Sequence, residues 1–179
     1  MHIRAHSFSS MMGRFGVLCL VVGLMPGLSA HAAVPSPVKI AVFDFELEDV
    51  SAAGALSAGD SAADLARMQA VTGEARKVLA QSGRYSLVDT HDVDAQAVKD
   101  RALRSCDGCD AGIALKLGAD QSLIGVVRRV AKTEYYVSFI ITDAQTGKVV
   151  NQQAAFFTGA DDAWPSGVRL LLKHGVLAD

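Results

Sequence analysis

Cys106 and Cys109 are the residues of this chain with the most chemistry to offer. Asp107-Gly108 between them is a turn sequence, so the chain can fold back far enough for the two sulfurs to meet. The spacing allows a disulfide staple, a thiol–disulfide exchange pair or half of a metal site. A Cys at a helix N-terminus has a stabilised thiolate and CxxC pairs exchange readily, which is the basis of the redox reading. Against it, the pair does not directly follow a sheet strand, and no aromatic residue or proline flanks it. Haem attachment wants His after the second Cys, where Asp110 stands. Zinc wants two further ligands; no second CxxC exists, and His91 or His174 would contribute only by folding close. Neither metal nor cofactor is assigned. The structural reading is a staple joining the second helix to the third, worth about 2 kcal/mol in the loop-entropy model.

A second group is acidic: Asp44, Glu46, Glu48 and Asp49. It falls at the carboxyl end of a strand expected to be parallel, where α/β sheets commonly place ligands. Carboxylates on one strand face can hold a hard cation or a cationic group of a partner. The plainer reading is a solvated strand exit. A third group, Arg128, Arg129 and Lys132 with Tyr135 and Tyr136, makes a basic and aromatic tip on a hairpin. Such a tip suits a protein or anion contact, or protects an edge strand by charge. Trp164, the only tryptophan, reads as a wedge between a helix and the sheet or as a partner contact. No GxGxxG, GxxxxGK[ST] or HExxH occurs and no local motif signals a Ser/His/Asp set, so no catalytic residue is named.

The elements that must position these groups centre on residues 113–157. Three runs rich in β-branched and aromatic residues, at 123–130, 135–141 and 149–157, are parted by polar turns, the pattern of an antiparallel meander. Upstream, Val38 to Phe45 holds a continuous apolar run suited to a strand covered on both faces. From Phe43 the pattern alternates, with Phe43, Phe45 and Leu47 on one side and Asp44, Glu46 and Glu48 on the other. Residues 50–59 form a loop without period. Asp60 and Ser61 cap a helix whose stripe is Leu65, Met68, Thr72, Ala75 and Leu79, and Gly83 ends it. Residues 84–89 make a strand beside the first, joined by a crossover connection. Asp92 caps a second helix reaching Leu103, with Val93, Ala97 and Val98 inward. A third runs from Asp110 to Leu117, and a last one from about Trp164 to His174 shows Val168, Leu171 and Leu172 to the sheet. The order is β-α-β-α-α-β-β-β-α. This predicts an α/β (α+β) fold: a mixed sheet of about five strands with helices packed on it.

The first thirty-two residues read as a signal peptide. Arg4 and Arg14 precede the apolar run Phe15–Leu24, Pro26-Gly27 breaks it, and Ala30-His31-Ala32 offers small residues to a peptidase. The run is shorter than the ~20 residues of a spanning helix, so no stable membrane insertion is expected after cleavage. Cys19, the one candidate for lipidation, has Leu18 before it where a small residue is wanted. Residues 33–37 form an extended leader and 38–179 a single domain. Past residue 32, fifteen basic residues face nineteen acidic ones, a net charge of −4 that argues against a nucleic-acid partner.

The segments KIAVFDFE (39–46), LAQSGRYSLVD (79–89), ALKLGADQSLIGVV (114–127) and YYVSFIITDAQTGKVV (135–150) resemble the TolB amino-terminal domain and its CsgG-like relatives. The likeness spans about Val38 to Val150 and is nearest to an exported branch of unknown function that carries a CxxC before LGAD. Within it there is no β-propeller, lipidated Cys or pore-forming insertion, so neither the Tol–Pal role nor the secretion channel is implied. The resemblance implies an envelope location, an interaction or scaffolding role, and no catalytic residues. Three functions are carried forward: a periplasmic accessory domain binding an envelope protein, a thiol-disulfide or electron-transfer helper, and a small-ligand carrier using the loop and the acids near Asp44.

Overall fold

The computed structural model describes residues 36–56, 60–91 and 93–178. Residues 1–32, read as a signal peptide and holding Cys19, the leader as far as residue 35, loop residues 57–59 and Asp92 lie outside them. Strands β1 (Val38–Val42), β2 (Glu46–Asp49), β3 (Tyr85–Val88), β4 (Gln121–Ala131), β5 (Glu134–Asp143) and β6 (Val149–Thr158) form one mixed sheet. Its order is β3-β1-β4-β5-β6, with β2 pairing β4 beyond the end of β1. The meander expected from the alternating pattern is the antiparallel β4-β5-β6 half, and β3 lies parallel to β1 after a crossover.

Helices α1 (Ala62–Gln81) and α4 (Trp164–Gly175) pack on one face; α2 (Gln96–Lys99) and α3 (Cys109–Lys116) pack on the other. Ser61 and Asp64 form a capping box that starts α1. Met68, Thr72, Ala75 and Leu79 are buried as the stripe predicts, while Val71 and Val78 join them and Leu65 is only half-buried. Pro165 sits in the first turn of α4, where its missing N–H costs nothing, and Val168, Leu171 and Leu172 face the core.

Three expectations are corrected. The single apolar run expected from Val38 to Phe45 is two strands, raising the count to six, because the chain bulges between them. Four steps from Val42 to Glu46 run beside three from Leu123 to Val126, so one extra residue is inserted. The bulge flips the side-chain alternation. Phe43 lies under α2 and α3, whereas Phe45 and Leu47 lie under α1 and α4. The Phe45 N–H, turned out of the ladder, donates to Thr72 Oγ1 at 2.9 Å. Nor is the acidic stretch a solvated exit: β2 is a paired strand, and Glu46 is 4% exposed. Finally, the second helix starts at Gln96 with Ala95, not Asp92, at its N-cap, and does not reach Leu103. It ends at Lys99, Arg101 takes φ 50°, and a 3₁₀ turn over Leu103–Ser105 drops Leu103 into the core beneath α3.

Gly125 of β4 makes the bulge possible, since a Cβ there would stand 2.2 Å from the Phe45 ring. Gly125→Ala is therefore expected to destabilise the fold by roughly 1–3 kcal/mol, the usual cost of overpacking. Urea denaturation checks this, and an unchanged midpoint would show that Phe45 does not depend on the glycine.

Candidate functional site

Sequence reading kept the acidic and basic groups apart, but the sheet sets them side by side. Glu46-Leu47-Glu48-Asp49 of β2 runs parallel to Val126-Val127-Arg128-Arg129 of β4, pairing Glu48 with Arg128 and Asp49 with Arg129. Because alternate side chains leave a strand on opposite faces, the two ion pairs serve different ends. Glu48 meets Arg128 Nε at 2.8 Å on the half-exposed face opposite α1 and α4. Asp49 meets Arg129 Nη1 at 2.6 Å on the face toward those helices.

Arg129 is the hub. Its Nη2 also reaches Asp64 at 2.5 Å in the first turn of α1, and Asp161 at 3.0 Å in the turn before α4. Its guanidinium carbon stands 4.8 Å from the ring centroid of Trp164, which is 1% exposed. Arg67 adds a second cation to Asp64 and Asp161. Burial alone would raise the Asp64 pKa, but hydrogen bonds from Arg129 and Ser61 outweigh it and hold the carboxyl at about 2. Asp49 follows the same logic: burial opposes, and bonds from Ser51 and Arg129 bring it below its ordinary value. Arg129 itself is raised, its carboxylate partners outweighing burial. This cluster borders a cavity of about 610 Å³ shared with Ser51, Ser61 and Lys132.

The basic and aromatic tip is thus corrected. β4 is an interior strand, so Arg128 and Arg129 protect no edge. Tyr135 is 2% exposed, stacked on Phe157 at 5.6 Å, and its hydroxyl donates to Ala163 O. Trp164 is the wedge between α4 and the sheet.

Glu46 holds the segment leading to the cysteines. Its Oε1 accepts from the Leu103 N–H at 2.7 Å and its Oε2 from Arg104 Nη1 at 2.5 Å. Cys106 and Cys109 are joined in a disulfide with Cα atoms 5.5 Å apart. It links the 3₁₀ turn, not the second helix, to the start of α3. Asp107 and Gly108 both take positive φ, 51° and 85°, which makes the reversal that the turn sequence predicts. Beyond the pair, buried Asp110 accepts from Ser122 Oγ of β4. Both flanks of the disulfide are tied to the sheet.

Asp44 stands elsewhere. The connection β1–α1–β3 lies on one face and β3–α2–α3–β4 on the other, and the carboxyl ends of the neighbouring parallel strands β1 and β3 lie side by side. A crevice of about 710 Å³ opens there, with Phe43, Leu87 and Val98 as its apolar part and Arg76, Asp44, Asp89 and Thr90 as its polar part. Arg76 is fixed by Val42 O, Asp44 and Thr90 through Nε and Nη2. Its place was not legible in the sequence, since Arg76 looks like any outward residue of an amphipathic helix. Among the described residues, no cluster of His, Cys, Asp and Glu is arranged to hold a metal ion, and no helix is long and apolar enough to cross a membrane.

Fold and site together define a small mixed-sheet α/β domain in which the acids of β2 and the arginines of β4 are spent on internal pairs. The chain belongs to the family described as Protein of unknown function (DUF2380), matched over residues 38–176. No curated protein matches it. Among solved structures it is similar to the LpoB C-terminal domain from Salmonella enterica, with 18% identity, a TM-score of 0.47, and 70% of this chain and 85% of that one covered. The lipoprotein GNA1162 from Neisseria meningitidis shows 16% identity and a TM-score of 0.49, covering 69% and 82%. TolB from Acinetobacter baumannii shows 14% and 0.45, covering 75% of this chain and 26% of that one. The likeness is not specific to TolB, and at these identities none of the three defines what this chain binds.

The Asp64 carboxyl, about 2 folded against an ordinary 3.8, adds stability that is fully present above pH 4 and lost as pH falls toward 2. Asp64→Asn is therefore expected to lower stability at pH 7 by about 1–2 kcal/mol and to flatten the loss between pH 4 and 2. Urea melts at both pH values check it; an acid limb as steep as the parent's would remove Asp64 from the account.

Proposed function

We propose that this chain is an exported accessory domain of the bacterial envelope that binds a protein partner on the uncovered half of its sheet. One observation carries the reading. On the face away from α1 and α4, α2, the 3₁₀ turn and α3 lie over β1, β4 and the near part of β5, and Phe156 of β6 stands 55% exposed. Cross-strand neighbours extend that surface, since Tyr136 lies beside Phe156 and Arg128 beside Tyr136. Aromatic rings next to a guanidinium are what protein interfaces enrich. Arg128, Glu48 and Tyr136 also border a groove of about 350 Å³.

The envelope location rests on the signal-peptide pattern at 1–32 and on the disulfide, which suits an oxidising compartment. The cysteines are read as a staple, since Glu46 and Ser122 hold the chain on either side of them. A second reading, a small-ligand carrier, is favoured by the crevice at the carboxyl ends of β1 and β3 and by its fixed Arg76.

Site-specific photo-crosslinking in cells tests the first reading. A photoreactive residue at Phe156 is expected to give a discrete adduct with a second protein, and one at exposed Ala70 on α1 to give none. Equal adducts at both positions, or none at Phe156, would count against the uncovered face as the docking surface.

A further inference from the structure

The groove that borders Glu48, Arg128 and Tyr136 holds more hydrogen-bond donors than its own acceptors can satisfy. It runs between the 3₁₀ turn over Leu103–Ser105 and the β4–β5 ladder, with Val126 and its cross-strand neighbour Ser138 along the floor. Arg104 and Ser105 line it from the turn, Arg128 and Tyr136 from the ladder. A guanidinium donates from Nε and from both Nη groups. Arg128 gives Nε to Glu48, and Arg104 gives Nη1 to Glu46. Both Nη groups of Arg128, and Nε and Nη2 of Arg104, have no partner among the described residues. The same holds for the hydroxyls of Ser105, Tyr136 and Ser138. Glu46 cannot answer them, being buried with one oxygen on the Leu103 N–H and the other on Arg104. Glu48 has already given one oxygen to Arg128. The turn is also held in place, by Glu46 at Leu103 and by the Cys106–Cys109 disulfide directly after Ser105. Side chains presented from a fixed turn lose less freedom on binding.

We infer that this groove receives an aspartate or glutamate side chain of the protein partner, its carboxylate between Arg104 and Arg128. The inference rests on the docking surface proposed above and names the chemistry of its occupant. A carboxylate can accept from both guanidinium groups and from the hydroxyls at once, in charge-assisted bonds roughly twice as strong as neutral ones. A cationic side chain would instead meet two guanidinium groups, and a neutral amide would bring further donors to a place short of acceptors. Phe156, 55% exposed, stands beside Tyr136 on the next strand. Whatever fills the groove and also covers that ring must be acidic and apolar side by side, which a protein surface supplies and a free small anion does not. The chain carries a net charge of −4 past residue 32, so its long-range field does not draw an acidic partner in. Recognition is local and made at contact.

Ser105 is exposed, so substitutions there should leave the circular-dichroism melt unchanged. Ser105→Asp puts a carboxylate of the chain's own into the groove that Arg104 and Arg128 line, and Ser105→Lys puts a cation there. The probes are a fluorescein-labelled peptide of alternating leucine and glutamate and its counterpart with glutamine in place of glutamate. Fluorescence anisotropy reads their binding to the purified chain at low salt. The parent is expected to bind the glutamate peptide more tightly than the glutamine one, by roughly fivefold or more. Ser105→Asp should erase that preference and Ser105→Lys should keep it, whereas a steric effect of the larger side chain would act alike in both. No preference in the parent, a preference that Ser105→Asp leaves intact, or one that Ser105→Lys also erases overturns the inference. The Phe156 crosslink separates it from the docking surface. An adduct that Ser105→Asp leaves unchanged overturns only the acidic occupant, and a glutamate preference without any Phe156 adduct overturns only the docking surface.

Discussion

The guanidinium of Arg129 holds this molecule's parts in register. It is a cation with 13% of its side chain exposed, and it meets carboxylates from β2, α1 and the turn before α4. Those three segments are far apart in sequence, and each arrives at the cluster with a negative charge. Without the cation, Asp49, Asp64 and Asp161 would converge on one another and repel. A buried charge cluster adds little net stability, because desolvation offsets much of the attraction, but removing the shared cation would leave its carboxylates uncompensated, which typically costs about 3–5 kcal/mol. Its contribution is better described as specificity: only one docking of α1 and α4 on the sheet places all three acids within reach. Trp164 closes the arrangement from below, with its ring face on the guanidinium and its body in the core.

A second constraint follows from the one-residue bulge between β1 and β2. Since side chains alternate along a strand, an inserted residue exchanges the faces of everything after it. Ahead of the bulge, Ala41 and Phe43 feed the small core under α2 and α3, while Ile40 and Val42 feed the large one. Past it, Phe45, Leu47 and Asp49 point toward α1 and α4, and Glu46 and Glu48 point the other way. Had the alternation run on unbroken, Asp49 and Arg129 would lie on opposite faces. The hub therefore depends on the bulge, and the bulge on Gly125 leaving space for Phe45.

Much of this architecture was legible in the residues. The β4-β5-β6 meander, the capped α1, the proline start of α4 and the Asp107-Gly108 reversal are local signals, each written within a dozen residues. What escaped is long-range. Nothing near Arg129 announces that its partners lie 80, 65 and 32 residues away. Alternation from Phe43 to Glu48 looked unbroken because apolar and acidic residues happen to alternate straight through the bulge. The second helix was over-extended because the side chain of Glu46, from another strand, captures the Leu103 N–H that a helix would have used. One signal was available: two acids at the end of an early strand and two arginines at the end of a later one suit parallel neighbours.

Spending charge inside the fold also shapes what remains outside. Asp44, Glu46, Glu48 and Asp49 each have an arginine partner, so the acidic group that looked most like a ligand site has little free valence left. The crevice beside Asp44 keeps Arg76 fixed by a backbone carbonyl, a carboxylate and a hydroxyl, which pre-orients its guanidinium without leaving it a bare cation. The surface with the least internal commitment is the β6 side of the sheet, where charge is missing and apolar side chains are exposed. A strand that faces only solvent gains nothing from lacking charge and is exposed to mispairing by it. Apolar side chains exposed on that side of the sheet make physical sense when another protein covers them.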